Sequence, residues 1–151
     1  MRKAWFYWKP RVGQPTWNMQ YAFRGHVVVL CNQRTASDGE AFAEGFRRLG
    51  LGPVIGSRTW GGEIWLSASR WLVDGGMASA AEMGVYGPEG AWLIEGHGVD
   101  PDRIVDNPPH ATFDGRDAQL EAAVEYLQEQ ITRNPRPVPP VPPHPVKRFP
   151  K

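Results

Sequence analysis

Val27-Val28-Val29-Leu30-Cys31 runs into Thr35-Ala36-Ser37-Asp38-Gly39-Glu40-Ala41-Phe42, and that junction decides the fold. The first run is apolar and β-branched, which predicts a buried strand over 26–31. The segment behind it predicts a helix over 37–49, with Phe42, Gly45, Phe46 and Leu49 on one face. A strand that turns sharply into a helix at a serine projects the hydroxyl from the turn while the first helical N–H groups face the same space. Ser37 is thereby a candidate nucleophile. The same residues also spell a capping box, in which Ser37 accepts from the Glu40 N–H and the Glu40 carboxylate reaches back to the Ser37 N–H. Spacing alone leaves both readings open.

Downstream, Gly50 and Gly52 with Pro53 stop the helix, and Val54-Ile55 predicts a short strand that completes a βαβ unit. Thr59-Trp60-Gly61-Gly62 reads as a turn. Strands are expected over 63–68 and 70–73, with Asp74-Gly75-Gly76 as the next tight turn. The stretch 84–90 is turn-rich, Ala91–Ile94 reads as a short strand delivering Glu95, and Ile104-Val105 as the last strand. Asp114-Gly115 introduces a helix over 116–132, whose Leu120, Ala123, Val124, Leu127 and Ile131 form an apolar stripe assigned to the core.

The termini differ in composition from this central part. Residues 1–24 are rich in aromatics, Trp5, Phe6, Tyr7, Trp8, Trp17, Tyr21 and Phe23, broken by Pro10, Gly13 and Pro15. Rings of that size need burial against other polypeptide. From Asn134 the chain is proline-rich, which favours extended polyproline II, read as a spacer or disordered tail. Pro-Val-Pro-Pro-Val-Pro-Pro flanked by Arg136 and by Lys147-Arg148 also matches the loose chemistry of an SH3-type ligand.

A chain of 151 residues with 41% apolar content suits one small α/β domain with tails. The formal net charge of +1 argues against a broad nucleic-acid surface. A single cysteine, Cys31, makes no internal disulfide and reads as a small buried hydrophobe. No 18-residue apolar run and no secretory leader stand in the sequence, so no membrane partner and a cytoplasmic setting are expected. No cofactor and no metal are expected.

Three motifs carry a wider resemblance. They are Ala36-Ser37-Asp38-Gly39-Glu40-Ala41-Phe42, then Leu49-Gly50-Leu51-Gly52-Pro53-Val54-Ile55-Gly56-Ser57-Arg58-Thr59-Trp60-Gly61-Gly62, then Trp92-Leu93-Ile94-Glu95-Gly96-His97-Gly98-Val99-Asp100-Pro101-Asp102. In order and spacing, over roughly 25–133, they resemble the C-terminal half of the peptidase core of tricorn-like members of the tail-specific (carboxyl-terminal processing) serine peptidase family. That resemblance implies an α/β fold of crotonase/Clp-like β-β-α units with a mixed sheet. The expected organisation is an aromatic-rich segment over 1–24, a partial peptidase core over 25–133 and a proline-rich tail over 134–151.

The resemblance also makes Ser37 the nucleophile, the Asp38 N–H an oxyanion donor and Glu95 the acidic member of a Ser-His-Ser-Glu tetrad. Relatives with a Ser-Lys dyad carry a lysine in a Gly-Lys-Gly motif, where this chain has Gly61-Gly62-Glu63, so the tetrad is favoured. In the family the base histidine, the linking serine and a second oxyanion glycine lie upstream of this half. The expectation is therefore a serine peptidase acting on peptides or unfolded protein, present as a partial catalytic domain inactive alone and homo-oligomeric when complete. None of His26, His97, His110 and His144 matches the base. The alternative is a non-catalytic scaffold or interaction module with the same fold.

Overall fold

The structure is a computed structural model that describes residues 6–17, 23–67 and 70–144. They fall into two compact units, one spanning 27–129 and one joining the segment up to His26 with that from Gln130. In the latter, strands β1 (Tyr7–Trp8) and β2 (Thr16–Trp17) pair antiparallel with Tyr7 opposite Trp17. The Arg24 guanidinium lies 5.2 Å from the centroid of the Tyr7 ring and donates to the Pro137 carbonyl. Arg136 donates to the Gly25 carbonyl at 3.2 Å, and His26 Nε2 lies 2.8 Å from the Asn134 carbonyl. These contacts tie the first residues of the proline segment to the end of the aromatic one. Trp5, Tyr21, Lys147 and Arg148 lie outside the described residues.

The larger unit is organised by a three-stranded parallel sheet. Strand β3 (Val29–Cys31) is followed by helix α1 (Asp38–Arg48) and then strand β4 (Val54–Gly56), which lies between its two partners. Val29, Leu30 and Cys31 pair with Val54, Ile55 and Gly56. All three residues of β4 are buried, as expected for a central parallel strand covered on both faces. Two antiparallel pairs follow, formed by β5 (Trp65–Leu66), β6 (Arg70–Trp71), β7 (Met77–Ala78) and β8 (Ala81–Met83). The hairpin β6–β7 closes at Asp74-Gly75-Gly76, and β5 pairs with β8 around it. Strand β9 (Arg103–Ile104) returns parallel to β4, completing a mixed α/β unit. Helices α2 (Pro109–Phe113) and α3 (Ala118–Arg133) follow. Cys31, Ala43, Val54, Ile94 and Val99 make the core cluster.

Several sequence expectations are corrected. Phe46 is buried as expected, but Phe42 and Leu49 are 61% and 73% exposed, and Glu40, Ala43 and Glu44 share the inward face of α1 with Phe46. The helix turns that way because Glu40 finds four hydrogen-bond donors inside, which an apolar face could not offer. The stripe on α3 is likewise rotated. Ala123 is buried as expected, but Leu120, Val124 and Ile131 are exposed while Gln119 and Ala122 are buried, and the Gln119 amide donates to the Val105 carbonyl at 2.9 Å. Asp114-Gly115 ends the short helix α2, which begins at a proline suited to a first helical turn. Residues 91–94 form no strand beyond a bridge between Trp92 and Tyr86, and Glu95 sits in a turn with Ile94 at φ 69°. The strand expected over 63–68 is confined to Trp65–Leu66, because the Glu63 and Ile64 N–H groups bond to a side chain instead.

Candidate active site

Ser37 ends the turn after β3 with φ 51° and ψ −124°. A non-glycine residue reaches that region only when its surroundings hold it there, at a cost of about 1–3 kcal/mol. The bonds that hold it are on both sides. Its N–H donates to Glu40 Oε2 at 3.1 Å, and its carbonyl receives the Glu40 and Ala41 N–H groups at 2.7 and 3.1 Å. The Glu40 half of the capping box is therefore formed. Gly39 donates to the Ala36 carbonyl, whereas the Asp38 N–H has no acceptor among the described residues. Ser37 and Asp38 are exposed and line an open depression of about 330 Å³ with Ile64, Trp65 and Leu66.

Glu40 organises the site from beneath. Its carboxylate is fully buried and accepts from Thr59 Oγ1 at 2.5 Å, from the Gly61 and Gly62 N–H groups at 2.7 and 2.9 Å, and from Ser37. Burial pushes this carboxyl up, but the Thr59 hydroxyl and the three N–H groups outweigh it and hold Glu40 below the ordinary carboxylate range. Thr59 in turn accepts the Val99 N–H at 2.7 Å, and the Trp60 N–H reaches the Thr35 carbonyl at 3.0 Å. Three separate loops, 35–37, 59–62 and 97–99, are thus tied together through Thr59, Trp60 and one buried carboxylate. The packing is close enough to require glycine at 98, where φ is +91° and a Cβ would lie 2.6 Å from the Thr59 carbonyl oxygen.

Glu95 reaches the other end of the same turn. Its Oε2 accepts from the Glu63 and Ile64 N–H groups at 2.7 and 3.0 Å. It lines a second cavity of about 440 Å³ with Ile64, Ala81, Met83, Val85 and Trp92, so Ile64 belongs to both depressions. Ser37, Asp38 and Glu95 are therefore gathered around one turn. Glu40, read from the sequence only as a cap, and Glu63, buried between them, are additional members of the site. The Glu40 signal was local, Ser-x-x-Glu, but its partners lie about twenty residues away.

Three of the four histidines are engaged elsewhere. His97 pairs with Asp100 at 2.7 Å, not with Glu95, and Arg58 donates to its carbonyl. His110 pairs with Asp114, and His26 bonds to the Asn134 carbonyl. Cys31 is buried, with its Sγ donating to the Ser57 carbonyl at 3.3 Å, and burial followed by the Asp102 charge pushes its thiol up. It is a packing residue. Among the described residues no group of His, Cys, Asp and Glu is arranged to hold a metal ion, and no helix is long and apolar enough to cross a membrane.

Residues 5–105 match the family described as peptidase family S41. The chain is 34% identical over 131 residues to the tricorn protease of Thermoplasma acidophilum, an alignment covering 87% of this chain and 12% of that one. Tricorn protease homolog 1 of Streptomyces coelicolor is 37% identical over 131 residues, with the same coverages of 87% and 12%. The crystal structure of the tricorn protease superposes with a TM-score of 0.81 at 33% identity, over 88% of this chain and 13% of that one. The chain thus spans about an eighth of the length of these relatives.

Proposed function

The chain belongs to peptidase family S41, and from that premise we propose that it hydrolyses peptide bonds through an acyl-enzyme on Ser37. The observation that carries this reading is the Ser37 backbone, held at φ 51° and ψ −124° where a strand turns into a helix. Strain at an exposed serine, beside an N–H with no acceptor among the described residues, is what a presented nucleophile requires. The same proposal includes a fold of crotonase/Clp-like β-β-α units, peptide substrates and a homo-oligomeric complete enzyme.

The Ser37 Oγ attacks the scissile carbonyl carbon as its proton passes to a base. The carbonyl oxygen becomes an oxyanion, toward which the Asp38 N–H at the start of α1 donates. Collapse breaks the C–N bond, and the leaving amine takes the proton back from the base. Water, giving a proton to the same base, adds to the acyl carbon, and collapse breaks the C–Oγ bond as the base returns that proton to Ser37 Oγ. Glu95 stands at the far end of the relay. With Oε2 fixed by two N–H groups, its carboxylate is oriented to stabilise the positive charge that the base acquires. His97, His110 and His26 are paired with Asp100, Asp114 and the Asn134 carbonyl, which supports a base other than these three.

Fluorophosphonate labelling in extracts of the cells that make this protein, mapped by mass spectrometry, tests the reading. Modification at Ser37, lost in Ser37→Ala, is expected; labelling that persists in Ser37→Ala or never reaches Ser37 sinks it. The competing reading, a scaffold in which Ser37 is a helix cap, is favoured by its N–H bond to Glu40 and requires an unlabelled Ser37.

A further inference from the structure

Four consecutive backbone N–H groups, from Gly61 to Ile64, are divided between two carboxylates. Gly61 and Gly62 donate to Glu40, and Glu63 and Ile64 donate to Glu95. A carboxylate given two or more such donors is stabilised as an anion. Glu63 carries a third carboxyl in the middle of this strip, and the local donors are already taken. Its side chain belongs to a residue only 4% exposed, and its Oε2 is buried without a hydrogen-bond partner. Asp38, on α1 beside Ser37, is the fourth acid. The ion pairs among the described residues involve none of Asp38, Glu40, Glu63 and Glu95.

Carboxyls gathered around one turn without a cation compete for ionisation, and Glu63, buried with an oxygen that no donor reaches while Asp38 is open to solvent, is the one least favoured as an anion. Burial raises Glu63 first, followed by the charges of Glu40, Asp38 and Glu95. On the reading of Ser37 as nucleophile, we propose that Glu63 serves this site as a neutral carboxylic acid, a positioning residue whose proton keeps a further negative charge away from the Ser37 and Asp38 backbone. The consequence is electrostatic. An ionised Glu63 opposes charge building up on an oxyanion at the Asp38 N–H, and a protonated one does not. The role is distinct from that of Glu95, whose charge is wanted on the base.

The test is a pH titration of the full chain by NMR, with ¹³C in the glutamate side-chain carboxyls and ¹⁵N in the backbone, compared between wild type and Glu63→Gln. The Glu63 carboxyl should titrate above the other glutamates, and the Asp38 amide should shift with the same midpoint. In Glu63→Gln that transition should vanish from Asp38. In extracts of the cells that make this protein, fluorophosphonate reaction at Ser37 should fall on the alkaline side with this midpoint in wild type and lose that fall in Glu63→Gln. Titration of Glu63 with the ordinary carboxylates, or an Asp38 amide without the transition, overturns the proposal. If Glu63→Gln does not fold, the wild-type midpoints decide alone. Both transitions with a Ser37 that never labels would support the neutral Glu63 and overturn the nucleophile reading instead.

Discussion

The Ser37 N–H donates to Glu40 Oε2 at 3.1 Å, and the same carboxylate holds the Thr59 hydroxyl and the Gly61 and Gly62 N–H groups. The backbone of the proposed nucleophile and the turn that carries Glu63 and Ile64 therefore share one buried anchor. Any change in Glu40 moves both walls of the depression in front of Ser37.

Glu40→Ala should lower stability by about 4 kcal/mol or more, because it leaves several buried donors unpaired at about 1–3 kcal/mol each. Urea unfolding measures it. The pH dependence has a definite sign. Glu40 has a folded-state pKa below its unfolded value, so its contribution is complete above the ordinary glutamate range near pH 4.3 and is lost as pH falls through the folded value. Glu63 acts oppositely, since its raised pKa makes stability fall as pH rises above that range. Wild type should show both slopes, and Glu63→Gln should lose the alkaline one while keeping the acid one.

Thr59→Val keeps the shape of the side chain but removes the hydroxyl that donates to Glu40 and accepts from Val99. Both partners are buried, and the expected loss is about 2–3 kcal/mol. Thr59→Ser, which retains the hydroxyl, should lose less. Equal losses in the two variants would show that the methyl group, not the hydroxyl, matters at this position.

The strand, the turn at Ser37 and the helix behind it were legible because each is written in neighbouring residues. The same holds for the Asp74-Gly75-Gly76 hairpin. Glu40 was legible only in part. Its cap-like spacing is local, but its main work lies with Thr59, Gly61 and Gly62, and no periodicity reports a contact across that separation. Phe42 was misplaced for the same reason. Apolar periodicity assumes that the inward face is apolar, and here a satisfied carboxylate turns the helix so that Phe42 is exposed. Residues 91–94 failed as a strand because Ile94 takes a positive φ in the turn that carries Glu95, a conformation that its side chain does not advertise.

Gly98→Ala should cost about 2–4 kcal/mol, from a positive φ and from a Cβ placed 2.6 Å from the Thr59 carbonyl oxygen and 2.9 Å from its hydroxyl. Gly96→Ala is the control. Its φ is +78° with nothing near the added carbon, so only the backbone cost of about 1–2 kcal/mol applies. Thermal unfolding of the two variants separates the contact from the conformation. A Gly98→Ala loss no larger than that of Gly96→Ala would mean that the 59–62 and 97–99 loops are not held as closely as described.

Ser37→Gly tests whether the backbone at this position is strained for a purpose. Glycine takes φ 51° and ψ −124° without the steric cost that serine bears, so the variant should be more stable than wild type by about 1 kcal/mol. Alanine keeps the strain and loses the hydroxyl, so Ser37→Ala should be less stable than Ser37→Gly. A serine present only as a helix cap predicts a different order. Replacing such a cap by glycine costs a few tenths of a kcal/mol and replacing it by alanine about 0.5–2 kcal/mol, both below wild type. The sign of the Ser37→Gly change therefore measures whether relief of the strained backbone outweighs loss of the cap, and fluorophosphonate reaction at Ser37 separates the two roles. Under the nucleophile reading, the same substitution raises stability and removes all fluorophosphonate reaction at this position. A Ser37→Gly variant less stable than wild type would show that the backbone strain at this position is smaller than the contribution of the cap.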